Sequence, residues 1–360
     1  MNLDLDSTQT LLRDSVREYL KAELPFDRVR ACERDHCWDE TLWKGALEQG
    51  WLGLPFVEAD GGAGGSLVDA GLLLEEFARR AAVVPLAETL ACTLVLAEAG
   101  ADAKAHVSAL LAGRAVPVPA LLDPSDALDR VDLELGRDGT LTGEKLFVDY
   151  GASATHHLVA ARDAGGDGLF LVEASGAVSC EPLHTIGRTP SARARYERAS
   201  AARVGGADAL ARLRMLGRTF AAVQCLGSAQ QALDMTVQYA RVREAFGRPI
   251  GTFQAVQHHA ANMAIQVASS RFLVYETLHA LARGAATPRQ VALAKASASR
   301  MVPNVTLLAH QIHGGNGIIE ENDLYFFTLR GKDRSLAWGS AEECLVEAAA
   351  EVDGEREWLC

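Results

Sequence analysis

Residues 239–263 read YARVREAFGRPIGTFQAVQHHAANM, and this stretch sets the reading of the rest. Apolar residues at helical spacing run up to it from about 207 and resume beyond it. The run breaks at AFGRPIG, where Gly247 and Pro249 predict a tight turn around Phe246. A new helix is expected from about Thr252. Arg243 falls in the last helical turn before the break, and Arg248 falls inside it. A guanidinium fork there can grip phosphate through paired N–H donors. Gln254 adds an amide at the start of the next helix. An ordinary helical hairpin with solvated charges would carry the same letters, so both readings stay open on this stretch alone.

A second stretch, 309–343, reads AHQIHGGNGIIEENDLYFFTLRGKDRSLAWGSAEE. Gly314, Gly315 and Gly317 let backbone approach a ligand closely, and Asn316 tolerates a left-handed turn. Ser340 opens a helix, and a helix N-terminus is a natural pyrophosphate site. A glycine-rich helix cap reads the same way.

Working outward, residues 1 to about 113 read as helices. Ser7 or Thr8 can cap the first, whose apolar positions include Leu11, Leu12, Val16, Tyr19 and Leu20. A second carries Trp43, Ala46 and Leu47 and stops near Gly50. Glycines make 50–66 an irregular loop, and helices are expected over 67–81, 86–99 and 101–112. From about Val116 the text turns to short β-rich runs: VPVPALLD, VDLELG, TLTGEKLFVDY, HHLVAA, GLFLVEA and AVSCEPL. Their spacing fits a small sandwich or barrel. Helical periodicity returns over 207–241, 254–283, 288–314 and 337–350. The expected domains are 1–113, 114–205 and 206–360. The fold class is mainly α with a central β domain.

The 360 residues carry 35 Lys and Arg against 47 Asp and Glu, a formal charge of −12. That excludes the basic face of a nucleic-acid binder and disfavours an anionic membrane surface. No apolar run reaches membrane-spanning length, and the acidic start, MNLDLDSTQT, does not read as a signal peptide. The seven cysteines (32, 37, 92, 180, 225, 344 and 360) form no CxxC and are expected to be reduced thiols of a cytoplasmic protein. P-loop, HExxH, GxSxG and strand–GxGxxG–helix patterns are absent. Adjacent histidines 156–157 and 258–259 are expected to be solvated or capping rather than metal ligands.

Taken together, in this order and spacing, the two stretches resemble those of the acyl-CoA dehydrogenase family. TLLRDSVREYL, GWLGLPFVEADGGAGGS and TGEKLFV are similar to further family landmarks, so the resemblance covers nearly the whole chain. It implies an N-terminal helical domain, a middle β domain and a C-terminal four-helix bundle. It also implies FAD between the β domain and the bundle, across a subunit interface. Arg243, Phe246 and Gln254 should then contact the FAD of a neighbouring subunit. Gln311, Gly314 and Gly315 should meet its adenosine and pyrophosphate region, and Ser340 matches the family's hydroxyl residue that meets FAD beside the catalytic loop. Phe147 stands where the family usually has a tryptophan near the flavin ring. Asp149 replaces the usual Ser or Thr near N5, where a carboxylate would oppose anionic reduced flavin. The preceding loop, ALLDPSDALD, also departs from the family's Thr-Glu-Pro and Gly-Ser-Asp pattern.

The family's chemistry removes an α-proton from an acyl thioester while a hydride passes to the flavin, so it needs a positioned carboxylate. At the usual position, before Gly339–Ser340, this chain has Trp338. At the minority position, before Arg218, it has Gly217. An indole only donates a hydrogen bond, so the catalytic base is unknown; Asp149, Glu320 and Glu321 are the nearest alternative carboxylates in sequence. Trp338 keeps the main-chain N–H with which the family polarises the thioester carbonyl.

Some actinobacterial systems that shorten steroid side chains pair two related chains, of which one supplies the glutamate. This sequence resembles the other. Other readings stay open: a homomeric flavoenzyme on acyl-CoA or acyl carrier protein thioesters with a relocated base, a flavin monooxygenase, and a non-enzymatic binding relative. The implied partners are an acyl thioester, a like or related subunit, and an electron-transfer flavoprotein as acceptor.

Overall fold

A computed structural model describes residues 5–99, 102–125, 127–128 and 130–355. Six helices come first: α1 (Ser7–Glu23), α2 (Phe26–Asp35), α3 (Glu40–Glu48), α4 (Leu67–Arg79), α5 (Leu86–Glu98) and α6 (Ala103–Leu111). Asp6, rather than Ser7 or Thr8, caps α1. Its carboxylate accepts from the Gln9 N–H while the Gln9 side chain accepts from the Asp6 N–H, a reciprocal box. The unforeseen α2 packs Phe26 against Phe326, with ring centroids 5.6 Å apart.

The strands follow: β1 (Pro117–Ala120), β2 (Thr140–Asp149), β3 (His156–Asp163), β4 (Gly166–Glu173), β5 (Val178–Leu183), β6 (Ser191–Ser200) and β7 (Ala202–Gly205). One sheet has the order β1-β3-β4-β7, with β1 parallel to β3 and the other pairs antiparallel. The other, β2-β6-β5, is antiparallel throughout. VDLELG, expected as a strand, forms only isolated bridges, Glu134 to Arg162 and Leu135 to Leu141. β6 was hidden because its inward positions are largely alanine. Ala192, Ala194 and Tyr196 are buried while Arg195 and Glu197 are exposed, the two-residue alternation of a half-buried strand.

The long helix α7 (Ala207–Val242) leads into a two-residue-per-side hairpin, β8 (Glu244–Ala245) and β9 (Arg248–Pro249). Then come α8 (Gln254–Ala282), α9 (Pro288–His313), α10 (Gly315–Ile318), α11 (Leu324–Leu336) and α12 (Ala341–Glu355). No helix is expected from the sequence where α11 forms, because its start is a run of aromatics. No helix among the described residues is long and apolar enough to cross a membrane.

The chain forms two compact units. One gathers residues 1–29, 71–82 and 218–360; the other gathers 30–70 and 83–217. In the first, helices touch backbone to backbone through glycine. A Cβ on Gly227 of α7 would sit 2.4 Å from the Glu75 carbonyl oxygen of α4, whereas one on Gly331 of α11 would strike the Val302 side chain of α9 at 2.4 Å. Two buried carboxylates tie this unit further. Arg17 grips Glu76 at 2.6 and 3.0 Å, Tyr275 donates to Glu75 at 2.8 Å, and Arg271 pairs with the same carboxylate.

The second unit buries His157 completely, against the expectation that it be solvated. On β3, His156 and His157 point to opposite faces. The inward ring bridges the Tyr196 hydroxyl at 2.9 Å and the Gly151 carbonyl at 3.0 Å, and burial pushes its pKa down. Lys145 is also fully buried. It donates to Asp123 at 2.7 Å and to the Leu121 carbonyl at 3.1 Å, and Asp123 also accepts the Asp132 N–H at 2.9 Å. The ion pair therefore holds the start of the loop that begins at Ala120, and Asp123 ties it to Asp132. The six described cysteines are free thiols, and Cys360 lies outside the described residues.

Candidate functional site

The two decisive stretches meet in space. Tyr239, in the last turns of α7, stacks on His313 at the end of α9, with centroids 4.3 Å apart and planes 11° from parallel. A groove of about 430 Å³ runs beside them, lined by Asp234, Gln238, Tyr239, Val242, His313 and Asn322 among others. His313 is buried, its Nε2 has no partner, and burial pushes its pKa down to about 4.

The β8–β9 hairpin closes through the Ile250 N–H donating to the Arg243 carbonyl at 2.8 Å. Phe246 sits at its tip with φ 54° and is 95% exposed. Its ring meets Phe253 edge-on at 6.1 Å, while the Arg248 guanidinium lies 4.3 Å above the Phe253 ring. Phe253 is the N-cap of α8 and offers no side-chain hydrogen bond, so Gln254 and its neighbours begin the helix without a side-chain cap. Arg243 and Gln254 are exposed.

Gln311 is exposed on the last turn of α9. Gly314 ends that helix with φ 59°, and nothing lies within 4 Å of a Cβ placed on Gly314 or Gly315. Gly317 differs. Its Cβ would meet His313 Cβ at 2.8 Å, so this glycine serves the chain's own packing and not a ligand.

A second cluster surrounds Trp338. The Arg218 guanidinium donates from Nε to the Trp338 carbonyl at 3.0 Å and also pairs with Glu347. Arg218, the residue after one position where the resemblance looks for a base, thus holds the carbonyl of Trp338, which occupies the other. Neither Gly217 nor Trp338 can accept a proton through a side chain. Trp338 is half-buried at φ 64°, followed by Gly339 at φ 109°. Among the described residues, none accepts a hydrogen bond from the Trp338 N–H.

The adjoining carboxylates are already engaged. Glu343 accepts the Ser340 N–H at 2.7 Å and Ser340 Oγ accepts the Glu343 N–H at 3.2 Å, a capping box for α12. Those hydrogen bonds hold the Glu343 carboxyl below its usual range. The Ser-x-x-Glu spacing was readable in the sequence. Lys295 was not, because a lysine is expected in water. It is fully buried on α9 beneath this cluster and reaches the last turn of α11.

In the other unit, Phe147 lies at a β2 register shift with φ 50° and is 53% exposed, two residues before Asp149. Glu320 and Glu321 are exposed between α10 and α11. Among the described residues no cluster of His, Cys, Asp and Glu could hold a metal ion.

Comparison with known proteins bears on the same residues. The family descriptions "Acyl-CoA dehydrogenase, N-terminal domain" and "Acyl-CoA dehydrogenase, C-terminal domain" match residues 6–110 and 205–342. The acyl-CoA dehydrogenase IpdE2 of Mycolicibacterium smegmatis is 30% identical over 97% of this chain and 100% of its own length. Among solved structures, a variant of the Tcur3481-Tcur3483 steroid ACAD is 32% identical with a TM-score of 0.91, covering 97% of this chain and 98% of that one. The ChsE4-ChsE5 complex of Mycobacterium tuberculosis matches at 25% identity and a TM-score of 0.89, covering 98% and 99%. The chain therefore belongs to the acyl-CoA dehydrogenase family, whose members are FAD-dependent oxidoreductases acting on CH–CH groups.

Proposed function

We propose that this protein is the subunit without a catalytic base in a heteromeric acyl-CoA dehydrogenase that introduces an α,β double bond into an acyl thioester. The observation that carries the reading is at Arg218, which follows Gly217 and donates to the Trp338 carbonyl. Neither base position, Gly217 or Trp338, bears a carboxylate. A relocated base finds no support there. Hydrogen bonds from Ser340 hold Glu343 below its usual range, which weakens it as a base, and Glu347 is taken up by its ion pair with Arg218.

The residues fit FAD. The exposed Arg243 and Arg248 stand beside the uncapped start of α8, a setting that favours a pyrophosphate. Phe246 offers an apolar ring, and the open Gly314–Gly315 backbone leaves room for close approach. Gln311, Ser340 and Phe147 complete the proposed set. When bound, FAD supplies the hydride acceptor. This chain's own contribution is to hold the cofactor and to present the Trp338 N–H to the thioester carbonyl. The base comes from a sister chain with Glu at the position matching Trp338.

The similarity to a steroid ACAD and to a two-chain complex supports a steroid side-chain thioester as substrate and a related subunit as partner. We further propose an electron-transfer flavoprotein as acceptor and a cytoplasmic location. Co-expression with a Glu-bearing sister chain tests the assembly. The expected result is a mixed oligomer by native mass spectrometry that oxidises acyl-CoA, and activity that disappears when the sister's Glu is replaced by Gln. A Glu→Gln sister that leaves activity intact would overturn the reading.

A further inference from the structure

Lys295 is a buried ammonium with no carboxylate partner among the described residues. Its three donors are all used: Ser299 Oγ at 2.6 Å, the Ser335 carbonyl at 2.9 Å and the Arg334 carbonyl at 3.1 Å. A cation taken out of water without a counter-ion disfavours folding, and burial pushes its pKa down to about 8. A methionine would fill similar space without that cost, so the charge calls for another explanation. Its placement supplies one.

The two carbonyls belong to the last turn of α11, where four carbonyls lack intrahelical donors and the helix dipole is negative. The helix stops at Leu336, and Ala337 turns extended with ψ 138°. Trp338 and Gly339 then both take positive φ. This four-residue link is held at three points. Lys295 fixes its entry from the rigid interior of α9, Arg218 fixes the Trp338 carbonyl, and the Ser340–Glu343 box fixes its exit. Between these points the Trp338 N–H is left unclaimed.

We propose that Lys295 is a positioning residue that fixes the end of α11 so that the Trp338 N–H is aimed at the carbonyl of a bound thioester. This rests on the thioester-binding reading given above, and goes beyond it by assigning the aim to a lysine that touches no ligand. A hydrogen bond to a carbonyl is worth up to about tenfold in affinity, provided its donor is held in place.

The test uses the full chain loaded with FAD, alone and with the sister chain, titrated calorimetrically with hexanoyl-CoA and with S-hexyl-CoA, the thioether lacking the carbonyl. Wild type should prefer the thioester by about tenfold, the worth of one such bond. Lys295→Met should bring that preference close to one and leave thioether affinity unchanged. Lys295→Gln, which keeps an N–H₂ one bond shorter, should retain part of it. A wild-type preference in either variant would overturn the proposal, whatever happens to thermal stability, because that is the outcome of a purely structural lysine. If wild type itself shows no preference in either form, the Trp338 reading fails first, and the role given to Lys295 fails with it.

Discussion

Two lysines are fully buried among the described residues, one in each compact unit, and they are accommodated differently. Lys145 in the β region meets a carboxylate, Asp123, and the pair holds the start of the loop after β1. Lys295 in the helical unit meets only a hydroxyl and two helix-end carbonyls. The first arrangement neutralises charge. The second leaves the charge standing and sets it against a helix dipole. An ion pair of the first kind fixes a loop wherever its two partners happen to lie. An unpaired ammonium of the second kind has to sit at a helix C-terminus, and this one sits next to Trp338.

The contrast can be broken most forcefully at Asp123. Asp123→Ala leaves Lys145 charged and unpartnered in the core and should destabilise the protein by about 3–5 kcal/mol. Replacing both partners with apolar residues should recover most of that loss. Urea unfolding of the single and double variants measures both. If the double variant is no better than the single, the pair does more than neutralise charge.

Lys295 should also make stability depend on pH. Its folded value, about 8, lies below the ordinary 10.5, so between those values the unfolded chain binds more protons. Stability should therefore rise with pH across that window, by up to roughly 3 kcal/mol. The groups facing it are Cys225 of α7, Cys344 of α12, and Arg334 and Arg218. On deprotonation the amine can still donate to both carbonyls and accept from the Ser299 hydroxyl, so the geometry survives. The stability gap between Lys295→Met and wild type, followed from pH 8 to 10, isolates this contribution. A gap that does not move would contradict the buried unpaired charge. At pH 7, Lys295→Met should change stability by less than about 2 kcal/mol, well below Asp123→Ala, since relief of the buried charge offsets the hydrogen bonds it removes and no charge is orphaned.

How far these features could be read in advance follows the same division. The helical regions were legible because their apolar residues recur at helical spacing, and the two glycine- and arginine-bearing stretches carried the family resemblance. β6 was not legible, because alanine contributes little to a hydrophobic pattern. The α11 start was obscured by LYFF, an aromatic run without amphipathic spacing. Lys145 lay inside a quoted landmark, yet its partner Asp123 came from the loop that departs from the family pattern. The burial of Lys295 could not be read, because it depends on where α11 ends, which only the packed structure fixes.

The smallest effect belongs to Phe246. With 95% of the residue in solvent, Phe246→Ser should change the stability of the isolated chain by less than about 0.5 kcal/mol. The same change should weaken FAD retention and assembly with a partner subunit, both visible by native mass spectrometry. A large loss of thermal stability in the isolated chain would mean that the hairpin tip is packed and not waiting for a partner.

The central claim is that this chain binds the cofactor and the thioester but lacks the base. An anaerobic titration of the chain alone, with excess FAD and with short, branched and steroid side-chain acyl-CoA thioesters, tests it most directly. The account predicts that the visible flavin spectrum stays oxidised with the chain alone and bleaches once a Glu-bearing sister chain is added. Bleaching by the chain alone would contradict it and would require a carboxylate that reaches the substrate from elsewhere in this protein.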